Sequence, residues 1–184
     1  MAFQLDGKLV VGISSRALFD LERENAIFET EGIEIYAKYQ REHENDVLKP
    51  GTAFSLVRAL HQLNAGGKKL TEIIIMSRNT ADTSLRIFNS IEHYGLDITR
   101  AALVGGAPIA KYLNAFHTDL FLSANGSDVQ EAVDAGVAAG LIYSYPEVKI
   151  NPKAEIPQIR IAFDGDAVLF SDEAEKIYQE KGLE

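Results

Sequence analysis

Cysteine is absent from the 184-residue sequence. This excludes a disulfide framework, a thiolate zinc site and a cysteine nucleophile, and it makes a reducing cytoplasm the expected compartment. Long apolar runs are also missing. None reaches the roughly 18 residues that would span a bilayer, so no membrane partner is expected. The opening residues, Met1 to Lys8 (MAFQLDGK), have neither the basic region nor the apolar core of a signal peptide. A basic surplus is lacking too, since 18 Lys and Arg face 27 Asp and Glu for a net charge of -9. Such a chain has little with which to displace counterions from a polymer of phosphates, and no nucleic-acid polymer is expected as a partner. A single phosphate group is a different matter, because a metal ion and a few backbone N–H groups can hold one whatever the global charge.

What is present reads as a soluble α/β domain. Hydrophobic residues make up 46% and charged residues 24%, an ordinary globular balance, and the length suits one substantial domain or one domain plus part of another. Apolar runs at 8–13, 70–76, 101–104, 119–122 and 141–143 read as strands, each followed by a polar or glycine-rich tip. Between them lie helical patterns. The first runs from Asp20 to about Arg41, with Ile27, Phe28, Ile33, Tyr36 and Tyr39 as inward candidates and Gly32 as a break. Ala53 to Leu63 follows with Thr52 as its cap and Phe54, Val57, Leu60 and His61 facing inward. Ala81 to Tyr94 carries Leu85, Phe88 and Ile91 at helical spacing, and Asp128 to Ala138 has Ser127 as its cap. Strands alternating with helices predict a Rossmann-like, mostly parallel sheet with helices on both faces. The tips Ser14-Ser15-Arg16, Ser77-Arg78-Asn79, Gly105 to Pro108 and Ser123 to Gly126 then gather along one edge, where open α/β sheets bind ligands.

Residues 144–157 read as a proline-containing linker, and after it comes a further apolar strand, Ile159 to Phe163, leading into Asp164-Gly165-Asp166. Two carboxylates at i and i+2 on extended backbone point the same way, which outlines a metal and phosphate site. Asp-Gly is equally common turn chemistry, and spacing alone leaves both readings open. Self-similarity adds a second view. At a constant offset of 150 residues, Ser14 falls on Asp164, Arg16 on Asp166, Ile27 on Ile177, Phe28 on Tyr178 and Gly32 on Gly182. The expected organisation is therefore a domain over 1–143, a linker over 144–157, and the first strand and helix of a second lobe over 158–184. The second copy has the acids; the first has serine and arginine in their places.

Beyond these patterns, the chain resembles the amino-terminal part of the cytosolic 5′-nucleotidase I family, within the haloacid dehalogenase superfamily of phosphatases. The resemblance is carried by Ser14 to Phe19 (SSRALF), His43 to Asn45 (HEN), Ser77 to Asn79 (SRN), Phe88 to Leu96 (FNSIEHYGL), Leu120 to Ala124 (LFLSA) and, above all, Phe163 to Asp172 (FDGDAVLFSD). It implies Mg²⁺-dependent hydrolysis of nucleoside 5′-monophosphates such as AMP, with Asp164 as nucleophile, Asp166 as acid and base, and both as metal ligands. Measured against the superfamily's pattern, the first copy has Ser14, Arg16, Ser123 and Ala124 where metal-binding acids are expected. It is expected to be a degenerate, non-hydrolysing lobe.

Ser77, Arg78, Asn79 and Lys111 are the candidates for contacting phosphate in that lobe, with ion pairing to nearby acids the competing role for the cations. Two functions stay in view. One is a 5′-nucleotidase acting on a nucleoside monophosphate, seen as an incomplete chain. The other is a non-catalytic nucleotide-binding or assembly lobe. An unpaired apolar strand at 160–163 invites association, so either a homo-oligomer or pairing to the parent sheet is expected.

Overall fold

In a computed structural model, residues 5–143, 150–156, 158–163 and 171–182 are described. Five strands form one parallel sheet: β1 (Leu9–Ile13), β2 (Thr71–Ser77), β3 (Arg100–Leu103), β4 (Leu120–Ser123) and β5 (Ala138–Leu141), in the order β3-β2-β1-β4-β5. The oldest-numbered strand, β1, sits at the centre, with Val11 level with Ile73 on one side and Leu120 on the other. The order reverses between β1 and β4, which is where such sheets open a crevice beyond their carboxyl ends.

Parallel sheets covered on both faces need strands apolar on both faces. β2 meets that requirement, being buried along its whole length. Its side chains alternate: Ile73 and Ile75 join Val11, Ile13, Val57 and Ile87 on one face, while Ile74 and Met76 join Val10, Phe121 and Leu113 on the other. Each such isoleucine contributes about 1.5–3 kcal/mol through burial.

The first face is covered by α4 (Phe54–Gln62) and α5 (Leu85–His93), the second by α6 (Ala110–Ala115) and α7 (Gly126–Asp134). Phe19, Phe54 and Tyr94 cluster on the first face with ring centroids 5.0–6.3 Å apart, and the Tyr94 hydroxyl donates to the Leu48 carbonyl. Gly51 lies against this cluster because nothing larger fits. A Cβ there would lie 2.8 Å from the backbone of Ala17 and Phe19.

A short α1 (Ser15–Leu18) leaves β1, followed by the hairpin of α2 (Glu22–Glu31) and α3 (Ile33–Glu42). Gly32 breaks the two helices as expected, at φ 85° and ψ 177°. α8 (Glu173–Lys181) ends at Gly182 with φ 74° and ψ 178°, the same termination 150 residues on.

Several sequence expectations need correction. Thr52 does not cap α4; Ala53 occupies that position without a side-chain bond. Asn125, not Ser127, caps α7, its side-chain oxygen accepting from the N–H groups of Ser127 and Asp128. β5 lies at 138–141 rather than 141–143, because α7 stops early and the chain turns at Gly136. Leu85 is exposed, since the turn at 82–84 is 3₁₀ and rotates the helical face. In the hairpin, Phe28 and Ile33 are exposed while Glu24 and Gln40 are buried, so its inward face is more polar than the periodicity suggested. Residues 159–163 form no strand, and Ile161 and Phe163 are exposed. Ile150 and Ile159 instead lean on the first core face, and Arg58 donates to the Ala154 carbonyl beside them.

Candidate functional site

The polar tips do come together at the carboxyl edge of the sheet. Beyond β1, β2 and β4 opens a cavity of about 560 Å³, floored by the strand tips and roofed by the α2–α3 hairpin. Its size is that of pockets that accept small organic ligands.

The floor is built on three serines, each ending a strand. Ser14 Oγ accepts from the N–H groups of Ala17 and Ala124 at 3.2 and 3.3 Å. Ser77 Oγ accepts from Asn79 N–H at 3.2 Å and lies 3.3 Å from Ser15 Oγ. Ser123 Oγ accepts from Asn125 N–H at 3.1 Å. At three tips, then, a side-chain oxygen satisfies the backbone donors that would otherwise be offered to a phosphate. Farther on, the N–H groups of Gly105 and Gly106 are taken by the carbonyls of Asn79 and Arg78.

The cations of the floor are occupied as well. Arg78 forks across two acids, with Nε 2.6 Å from Asp128 Oδ1 and Nη2 2.8 Å from Glu131 Oε2, tying the end of β2 to α7. Arg16 reaches Glu22 at 3.1 Å and Asn25 at 2.9 Å. Its Nε is buried with no hydrogen-bond partner among the described residues. Of the four phosphate candidates, Ser77, Arg78 and Asn79 line the cavity together. Lys111 is placed elsewhere, exposed, with its Nζ 4.9 Å from the Tyr112 ring.

The chemistry of this floor does not suit a hard cation. Magnesium prefers carboxylate and carbonyl oxygens, but the tips of β1 and β4 carry Ser14, Arg16, Ser123 and Ala124, and the Arg16 guanidinium brings positive charge. Among the described residues no group of three or more acids or histidines is placed to share a metal ion. Asp164 and Asp166 lie outside the described residues.

The roof supplies residues that periodicity passed over. Glu24 is buried, and its Oε1 lies 2.6 Å from Arg86 Nη1 on α5. Tyr36 donates to Asn79 Oδ1 at 3.1 Å and accepts from Gln40 Nε2 at 3.0 Å. Burial pushes the Tyr36 phenol above its ordinary range, with its hydrogen bonds opposing, so it stays a neutral donor at physiological pH. Asp82 is held below the usual carboxylate range, first by the Thr80 hydroxyl and also by Arg41 at 3.2 Å. Asn79 Nδ2 is buried and has no partner among the described residues. Leu21, Phe28, Ile33 and Ala37 complete an apolar ceiling. A signal for Glu24 and Arg86 was available, since both sit at helical positions that would otherwise face a core; their partnership across 62 residues was not.

Comparison with known proteins bears on what this architecture belongs to. A family model described as 5′-nucleotidase matches residues 1–184. The chain is 39% identical over 183 residues to human cytosolic 5′-nucleotidase 1B, an alignment covering 96% of this chain and 30% of that protein. The chain thus spans about a third of the length of that curated relative. Among the described residues, no helix is long and apolar enough to cross a membrane.

Proposed function

Since this chain belongs to the cytosolic 5′-nucleotidase I family, we propose that it takes part in hydrolysing nucleoside 5′-monophosphates such as AMP, with Asp164 and Asp166 as the reacting pair. The observation that carries this reading is the contrast between the two copies of the repeat. Tips that would need acids are closed by serines in the first copy, while the sequence supplies both acids in the second. The matching termination of α2 at Gly32 and α8 at Gly182 supports treating the two as copies.

In this reaction an Asp164 carboxylate oxygen attacks phosphorus, forming a P–O bond as the bond to the ribose 5′-oxygen breaks. Asp166 gives its proton to that leaving oxygen. Water then attacks the phosphoryl group, Asp166 takes the water's proton, and inorganic phosphate and free Asp164 are regenerated. Dividing one difficult displacement into two steps is the gain from covalent catalysis, and a paired acid serves both directions. As the family resemblance implies, Mg²⁺ would be held by the Asp164 carboxylate, the Asp166 backbone carbonyl and a further acid from a later strand, and when bound it would neutralise charge on the phosphate. A cytosolic setting accords with the absence of cysteine.

The test is phosphate release from AMP in the presence of Mg²⁺, with the wild-type chain beside Asp164→Asn. Release that vanishes in the variant supports the reading, and release that persists refutes it. A second reading is favoured by the cavity itself: the first lobe binds a ligand without transforming it. Saturable binding with no turnover in either protein would leave that reading standing.

A further inference from the structure

We propose that the cavity between the strand tips and the α2–α3 hairpin binds a neutral nucleoside, a flat heteroaromatic base carrying a hydroxylated sugar, and discriminates against its phosphorylated forms. This deepens the reading of the first lobe as a ligand-binding unit and is independent of what Asp164 does.

Charge is the first reason. Three carboxylates line the cavity (Glu24, Asp82 and Asp128) against two guanidiniums (Arg16 and Arg78). Both guanidiniums are already engaged with acids, and the backbone donors at the serine tips are satisfied internally. Glu24 and Asp82 are in turn held by Arg86 and Arg41, so a dianionic phosphate entering here would meet charges that are already paired and few open donors, and desolvating it without partners is costly.

Shape and hydrogen bonding give the second reason. Leu21, Phe28, Ile33 and Ala37 form an apolar ceiling suited to the face of a ring system, with Phe28 packed edge-on to Tyr36 at 5.7 Å between centroids. Two lining residues each carry a buried donor without a protein partner, Asn79 Nδ2 and Arg16 Nε. Leaving such a donor unsatisfied costs about 1–3 kcal/mol, a deficit that a small side-chain shift toward ring-nitrogen or carbonyl acceptors of a base would remove. The lining carboxylates retain acceptor capacity beyond their ion pairs, which suits sugar hydroxyls. A volume of about 560 Å³ accommodates a ligand of nucleoside size with room for water.

The proposal is tested by titration calorimetry on the full chain carrying Asp164→Asn, so that the proposed hydrolysis cannot consume the probe. Adenosine, AMP and inorganic phosphate are titrated separately. The expected result is saturable adenosine binding, AMP weaker by about tenfold or more, and no heat from phosphate. Asn79→Asp keeps the acceptor used by Tyr36 but removes the free donor, and should weaken adenosine about tenfold, the scale of one lost buried hydrogen bond. Ala37→Phe, which fills the ceiling, should abolish binding with the melting temperature maintained. No adenosine binding, adenosine binding indifferent to both substitutions, or AMP bound more tightly than adenosine in a manner lost in Ala37→Phe would each overturn it. Any of these leaves phosphate release by the wild-type chain free to judge the catalytic reading separately.

Discussion

The ion pair between Glu24 and Arg86 fastens the roof of the cavity to the body of the domain, and removing it should be costly in a particular pattern. The two side chains are 7% and 10% exposed, with Glu24 Oε1 2.6 Å from Arg86 Nη1. Arg86 Nε also donates to the Asp46 carbonyl at 2.8 Å. Replacing Glu24 by leucine strands a buried guanidinium, for which losses of about 3–5 kcal/mol are typical. The remaining bond to Asp46 places the expected loss near the lower end, about 3 kcal/mol. For a domain of this size that corresponds to a fall in melting temperature of roughly 6–12 °C. Arg86→Met should cost a similar amount by stranding Glu24. The double variant should recover most of the loss and lie within about 1 kcal/mol of wild type, because two apolar side chains replace two charges that both needed desolvation. Calorimetric melting of the four proteins closes a double-mutant cycle, with an expected coupling of at least about 2 kcal/mol. Strictly additive losses would refute the idea that these residues act as a pair, and an unchanged melting temperature in Glu24→Leu would refute their burial.

Other consequences can be checked in the same way. Gly51→Ala would push a methyl group to within 2.8 Å of the backbone at Ala17 and Phe19, so a loss of about 1–3 kcal/mol is expected in urea unfolding; a neutral result would show that this loop can move aside. His61 on α4 is pushed below its ordinary pKa mainly by burial, with Lys69 adding to the effect and Asp97 and Glu72 opposing it, so the folded state keeps it neutral where the unfolded chain binds a proton. Its contribution to stability is therefore fully present above about pH 6.5 and declines as the pH falls toward the lower folded value; His61→Leu should flatten the melting-temperature profile between about pH 7 and pH 5, and an unchanged slope would count against burial as the cause. Asp97 is held low first by Lys69, at 2.9 Å, so Asp97→Asn should remove part of the loss of stability on acidification below about pH 4, as followed by circular dichroism.

Most of the sheet was legible in the sequence because parallel strands buried on both faces leave near-continuous apolar runs. β1, β2 and β4 fall where those runs lie, within a residue or two. Weaker elements were misplaced for physical reasons. β5 (AAGL) is half-exposed at the sheet edge and carries little apolar signal, so the more hydrophobic residues just after it drew the assignment. The caps of α4 and α7 failed because local backbone geometry sets the cap position: at α4 it falls on Ala53, which has no polar side chain to turn back, and at α7 on Asn125 rather than Ser127. The stretch 159–163 looks like a strand by composition, yet it pairs with none of the five strands; Ile159 leans on the first core face while Ile161 and Phe163 lie exposed.

The candidate site was half legible. Ser77, Arg78 and Asn79 could be placed at a strand tip, and they do line the cavity. Their partners could not be foreseen, since Arg78 meets Asp128 and Glu131 across about 50 residues of chain. Contacts of that separation leave no trace in spacing. Those partners alter the meaning of the site, turning an apparent phosphate cluster into one whose charges are already matched.

The most direct test of the division of labour between the two copies is to identify where phosphate becomes attached. The full chain is incubated with AMP and Mg²⁺, quenched in acid, and its peptides are mapped by mass spectrometry beside Asp164→Asn and Asp166→Asn, the second of which lacks the proton donor of the first step and the base of the second. Phosphate on Asp164 of the wild-type chain, absent in Asp164→Asn and diminished in Asp166→Asn, is the predicted result. Phosphate on Ser14, Ser77 or any other residue of the first copy, or undiminished AMP hydrolysis in Asp164→Asn, would contradict it.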